Sequence, residues 1–269
     1  MQKYRLIPVV LLKNGVVVQS KGFKRYQRLG NPITIVQRLS NWAADELIYL
    51  DISREASYDL GRDDLNFQNP DSIIDILREV AKTCFMPLTF GGRIRTIGDV
   101  FTRVTSGADK VAINSHAVRD PKFISECAKE FGSQCIVVSI DALEKSPNQW
   151  EVYIDGGKTP TGLNPNEWAK TAQEMGAGEI LLNAIHRDGT GTGYDTDLIQ
   201  SVVSNVSIPV IACGGVGNWS HFADGIEKGK ANAVAAANIF HYTENSVYEA
   251  KKYLVENGLS FRKPFFING

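Results

Sequence analysis

The chain has 269 residues, of which 43% are hydrophobic and 22% charged, and its formal net charge is −1. That balance fits a globular protein with a sizeable core and excludes a global field that would draw it to nucleic acid or to an anionic membrane. With so small a net charge any anion site must be local, and no apolar run is long enough to span a bilayer.

In chain order, short β-branched runs alternate with longer segments of helical period. Strands are predicted at 5–12, 46–52, 86–90, 109–113, 135–140, 179–183, 208–212 and 232–236. Helices are predicted near 32–44, 71–83, 96–106, 121–131, 165–175, 195–204, 218–228 and 245–257. Most of the strands are continuous apolar runs, as strands buried on both faces are. Eight strands, each followed by a helix, predict an α/β fold: a closed (β/α)8 TIM barrel that takes residues 1–269 as one domain. The opening apolar stretch is broken by Pro8 and Lys13, which argues against a signal peptide. Cys84, Cys127, Cys135 and Cys213 lack metal-like spacing. They are expected to be reduced thiols in a cytoplasmic protein.

The chain repeats itself. Segment 90–115, FGGRIRTIGDVFTRVTSGADKVAINS, parallels segment 213–238, CGGVGNWSHFADGIEKGKANAVAAAN. A second echo links ADELIYLDI (44–52) to AGEILLNAI (177–185). The barrel is therefore expected to consist of two duplicated half-barrels of four units each. Two connections are long: 13–31, rich in Lys and Arg, and 53–70, rich in Asp, Arg and Asn. Long loops after barrel strands form the active face.

Gly91-Gly92 and Gly214-Gly215 each follow a strand and precede a helix, where a glycine backbone can approach a phosphate. Asn114 and Asn238 end the next strand in each half, so a ligand with two phosphates, one per half, is the expected fit. Asp141 ends strand 5 and points to the mouth, where burial can tune a carboxylate for acid–base work. Asp51 and Asp188 stand at the ends of strands 2 and 6, with loop capping or ion pairing as the alternative reading. In the half-barrel overlay, the position matching Asp141 is Leu11. Arg5, Glu46, Lys110 and Glu179 begin strands 1, 2, 4 and 6, and taken alone they suggest a stabilising salt-bridge ring. His186 lies close enough to the mouth to touch a ligand. No metal-binding motif and no glutaminase nucleophile are legible.

Runs such as RLIP (5–8), ADELIYLDI (44–52), GADKVAINS (107–115), FGSQCIVVSIDA (131–142), GAGEILLNAIHRDGT (176–190), IPVIACGGVGN (208–218) and AAANIFH (235–241) resemble the cyclase subunit of imidazole glycerol phosphate synthase, the HisF family. The resemblance covers nearly the whole chain. It implies a HisH-like glutaminase docked on the barrel floor in a heterodimer, with Asp109 facing it. Arg5, Glu46, Lys110 and Glu179 would form the gate that admits ammonia, and Asp141 would be one of two catalytic acids. The implied substrate- and phosphate-binding set is Asp51, Gly91, Gly92, Asn114, Asp188, Gly189, Gly214, Gly215, Ala237 and Asn238. The family's reaction joins ammonia to a phosphoribulosyl-formimino aminoimidazole carboxamide ribonucleotide and releases imidazole glycerol phosphate and AICAR, with no cofactor or metal.

The departures fall at the mouth. The second catalytic acid is Leu11, the lysine a turn later is Gln19, and the third glycine of the first phosphate turn is Arg93. Asn183 and Cys213 replace hydroxyl residues. This pattern resembles the HisF-type proteins of surface-polysaccharide synthesis, in which ammonia serves a separate ATP-dependent amidotransferase acting on a sugar nucleotide. The expected ligand is accordingly a small phosphorylated compound or a nucleotide sugar, with neither nucleic acid nor membrane as partner.

Overall fold

The computed structural model describes residues 3–53 and 73–265. In chain order its elements are β1 (Arg5–Lys13), β2 (Val16–Lys21), β3 (Arg25–Gly30), α1 (Pro32–Asn41), β4 (Leu47–Asp51), α2 (Ile73–Thr83), β5 (Leu88–Gly91), α3 (Ile97–Thr105), β6 (Lys110–Ile113), α4 (Ser115–Arg119) and α5 (Lys122–Phe131). They continue as β7 (Ile136–Ser146), β8 (Gln149–Ile154), β9 (Thr159–Pro160), α6 (Pro165–Glu174), β10 (Glu179–Ala184), α7 (Thr196–Val203), β11 (Val210–Cys213), α8 (Ser220–Glu227), β12 (Ala233–Ala236) and α9 (Ser246–Glu256). Strands β1, β4, β5, β6, β7, β10, β11 and β12 pair in parallel in that order, and β12 returns to β1. The sheet is thus closed, with helices around it, as the alternation of strands and helices predicts. The connection at 53–70 lies, beyond Ser53, outside the described residues.

Side chains alternate across a strand, and closure turns this alternation into two cores. Leu6, Val10 and Leu12 of β1 point outward into the shell against the helices, together with Leu47, Tyr49 and Phe90. Ile7 and Val9 point inward with Ile48, Ala112, Val137, Leu181, Ile211, Ala233 and Ala235. Helix starts follow their sequence signals. Asn31 caps Ile33 N–H at 2.7 Å ahead of Pro32, Asn164 caps Asn166 ahead of Pro165, and Thr96 with Asp99 forms a capping box. The first helix stops at Asn41, short of its predicted end at 44, because Ala43 takes a left-handed φ of 63°.

The duplication is visible beyond the glycine turns. The first strand of each half runs on into an antiparallel excursion, β1 into β2–β3 and β7 into β8–β9. Three strand starts share one device on the floor: Asp45 accepts Leu6 N–H, Asp109 accepts Leu88 N–H and Asn232 accepts Val210 N–H, at 2.8–2.9 Å. The residue after each of these caps, namely Glu46, Lys110 and Ala233, stands at the start of its strand.

Asp45 also anchors the last helix. Lys251 of α9 has no exposed surface, and its ammonium donates to Asp45 at 2.7 Å and to the Ala43 carbonyl at 2.9 Å. Removing Lys251 leaves the buried Asp45 carboxylate with only Leu6 N–H and the half-exposed Arg262 guanidinium at 3.4 Å. Lys251→Met is therefore expected to lower stability by about 3 kcal/mol in urea unfolding. A loss below ~1 kcal/mol would show that the pair does not hold α9 to the floor.

Candidate functional site

The two ends of the barrel carry different chemistry. On the floor, Arg5 pairs with Glu46 at 2.7 Å and with Glu179, while Lys110 pairs with Glu46 at 3.2 Å and Glu179 at 2.9 Å. Each carboxylate bridges both cations, which gives a closed ring of alternating sign. Its side chains are only 6–22% exposed. Glu46, Lys110 and Glu179 come from even-numbered barrel strands, and the fourth even strand offers Ala233. Arg5, paired in register with Ala233, fills that corner from the neighbouring strand. Burial alone would pull the Arg5 pKa down, but Glu179 and Glu46 outweigh it and raise it. Asp109 is exposed on the same floor beside this ring.

At the other end lies a cavity of about 880 Å³. Its lining includes six of the expected catalytic and ligand-binding residues, Asp51, Gly92, Asn114, Asp141, Asp188 and Ala237, and four of the departures, Leu11, Arg93, Asn183 and Cys213. Gly91, Gly189, Gly214, Gly215 and Asn238 do not line it.

Asp141 is buried at the end of the lumen-facing row of β7. Asn114 donates to its Oδ2 at 3.1 Å and to the Ser139 carbonyl at 3.0 Å. Burial pushes the Asp141 carboxyl up from 3.8 to about 7. The Asn114 and Asn183 amides pull it back, and the nearby charge of Asp188 adds to the rise. Leu11 lines the same cavity, paired with Leu50 on one side and Val18 on the other, so the strand-1 wall is apolar. One carboxyl with a pKa near neutrality therefore faces a wall that cannot exchange protons.

Asp51 is engaged locally. It accepts Ser53 N–H at 2.9 Å and the Ser53 hydroxyl at 2.5 Å, and Arg93 Nε lies 3.3 Å from its Oδ2. Arg93 takes a left-handed backbone, with φ 55°, at a cost of roughly 1–3 kcal/mol. A Cβ on Gly92 would come within 2.3 Å of the Asp51 carbonyl, so glycine is required there for close approach to β4.

Asp188 and Asn238 hold the β2–β3 hairpin. Asp188 accepts the Ser20 hydroxyl at 2.7 Å and Phe23 N–H at 3.2 Å, and burial raises its pKa. Asn238 donates to the Ser20 carbonyl at 2.7 Å and accepts Ser20 N–H at 3.3 Å. A Cβ on Gly189 would meet the Ser20 carbonyl at 2.5 Å. Gly215 is packed under the 187–193 loop, its carbonyl accepting Gly193 N–H at 2.8 Å.

Sequence reasoning did not single out Ser20, Phe23, Arg95, His116, Arg119 or Lys158, all of which line the cavity. The basic composition of 13–31 and the Asp155-Gly156-Gly157 turn were the available signals. His186 stands apart from the cavity, bonded to Asp195 at 3.0 Å. Glu144, His186 and Asp195 bring three possible metal-ligand atoms within 4.8 Å of one another. Asp195 is already engaged, capping α7 at Leu198 N–H and accepting Trp150 Nε1–H, so this group ties β8 to α7.

All four cysteines are free thiols, and no described helix is long and apolar enough to cross a membrane. A model of the protein family described as "Histidine biosynthesis protein" matches residues 5–246.

The raised Asp141 pKa has a definite sign. Below pH ~4 the carboxyl is neutral in both folded and unfolded chains; as pH rises towards 7 only the unfolded chain ionises freely, so the native state loses stability, by up to about 4 kcal/mol. Asp141→Asn removes this titration. Its stability relative to the unsubstituted protein should rise between pH 4 and 7 and level off above, in urea unfolding at several pH values. A difference that does not change with pH would contradict the assignment.

Proposed function

The chain belongs to the histidine biosynthesis protein family, and from that premise we propose that it is the barrel subunit of a glutamine amidotransferase pair. A HisH-like glutaminase docks on the floor beside Asp109, and ammonia passes the ring of Arg5, Glu46, Lys110 and Glu179 into the lumen. The observation that carries this reading is the ring itself. Four charges that seal the start of the lumen in mutual pairs make a barrier that one side chain can open.

The mouth favours an ammonia acceptor other than the family's usual substrate. Leu11 faces the cavity that holds Asp141, and loss of one of two proton-transfer groups costs ~10²–10⁴ in rate. The reading is that ammonia serves amidation of a surface-polysaccharide sugar nucleotide. There a separate ATP-dependent amidotransferase turns an acetamido group into an acetamidino group. One observation favours the ordinary cyclase instead: Asp188 lies close enough to Asp141 to raise its pKa, so a second carboxyl is at hand. In that case Asp188→Asn would abolish turnover.

The decisive assay follows absorbance as the purified barrel meets the phosphoribulosyl-formimino substrate in excess ammonium at high pH. No turnover by folded protein is expected, and rapid turnover would return the protein to histidine synthesis. With the glutaminase bound, Arg5→Ala is expected to let glutamine hydrolysis run without delivery of ammonia to the mouth. Unchanged delivery would remove the ring from the path.

A further inference from the structure

Ser20 belongs both to the wall of the cavity and to the clamp behind it. Its side of β2 faces the mouth, while its backbone N–H and carbonyl are both bonded to the Asn238 amide. Asp188 takes its hydroxyl, and Gly22 N–H donates to the Asp188 carbonyl at 3.0 Å. The β2–β3 hairpin is thus fixed across the side of the mouth formed by β10 and β12. Its tip reaches the other hairpin, where a Cβ on Gly157 would come within 2.9 Å of the Phe23 ring.

The rest of the rim, from β5 round to the β8–β9 turn that the hairpin tip meets, has a different character. Arg95 and Lys158 line it, exposed, with no carboxylate partner among the described residues. Arg119 also lines it but is engaged by Asp155 at 2.7 Å. The cavity therefore has cations available on its rim from β5 to the β8–β9 turn, while β2 closes the side of β10 and β12. Duplicated glycine turns predicted an anion cradle in each half, yet the Asn238 amide of the second half binds chain backbone.

We infer that Asn238 sets the ligand class of this mouth: by tying β2 across the second half, it leaves a single anion subsite at Arg95 and Lys158, suited to a ligand whose negative charge lies in one cluster. This deepens the proposed reading of the mouth, on which it rests, and disfavours a compound with a phosphate at each end. A nucleoside diphosphate carries its charge in the required single cluster.

Calorimetric titration with two probes that differ by one phosphate, ribulose 5-phosphate and ribulose 1,5-bisphosphate, tests it. The unsubstituted protein should bind both with affinities within about threefold, and Arg95→Ala or Lys158→Ala should weaken each by about tenfold. Asn238→Ala should leave the monophosphate unchanged and strengthen the bisphosphate by about tenfold. The inference is overturned if the unsubstituted protein prefers the bisphosphate tenfold or more, if it binds neither probe, or if the Arg95 and Lys158 variants bind as before. A folded Asn238→Ala that gains nothing for the bisphosphate also overturns it. Should Asn238→Ala fail to fold, the comparison of the two probes on the unsubstituted protein still decides. No ammonia enters these titrations, so failed ammonia delivery would count against the proposed function alone, and tight bisphosphate binding against this inference alone.

Discussion

A parallel sheet of eight strands closed on itself faces inward with only every second side chain, and each inward layer has few places. A charge placed in such a layer must find its counter-charge there, because ions buried without partners are costly to desolvate. The floor solves this with two cations and two carboxylates. The even strands supply three of the four corners, and the fourth strand brings Ala233, which leaves room for Arg5 to reach in from β1. Above the ring, Ile7, Val9, Ile48, Val137, Leu181 and Ile211 make the middle apolar. Polar groups gather at the last inward layer, where Asn114, Asp141 and Asn183 stand together above Ser139. The separation of floor from mouth follows from the two-residue period of the strands.

The two halves share an architecture and differ in how they use it. Both continue their first strand into a hairpin, and the hairpins touch at Phe23 and Gly157. Yet the strand that ends in Asp141 in one half passes through Leu11 in the other. The amide at the end of the fourth strand serves the buried cavity carboxyl in one half (Asn114 to Asp141) and the chain's own backbone in the other (Asn238 to Ser20). Duplication supplied equivalent positions, and side-chain substitution divided them between polar chemistry and closure.

The barrel was legible because strands buried on both faces are written as unbroken apolar runs, and all eight fall within a few residues of their predicted places. The four floor charges were legible for a related reason: each interrupts such a run at its start. What the sequence concealed was direction and partnership. Asp51, Asp188 and Asn238 could be named as mouth residues, with loop capping or ion pairing as the alternative reading of the two carboxylates, but nothing in their own segments says that Arg93 and Ser20 would engage them. Those partners lie elsewhere in the chain or in turns whose geometry is set by tertiary contact. The excursion of β7 into β8 and β9 escaped notice although Asn148 and Asp155-Gly156-Gly157 mark its two turns, because helical and strand runs of the repeating unit dominate the pattern around it.

The contacts that complete both ends of the barrel join residues distant along the chain. Ser20 meets Asn238 across 218 positions, Lys251 meets Asp45 across 206, and Arg5 meets Glu179 across 174. Contacts of such separation form late, because the chain between them must first be ordered. The hairpin wall of the mouth cannot be assembled by the first half of the chain as it emerges from synthesis. It waits for β12, the last strand of the barrel, so the cavity acquires its final shape only in the step that closes the sheet.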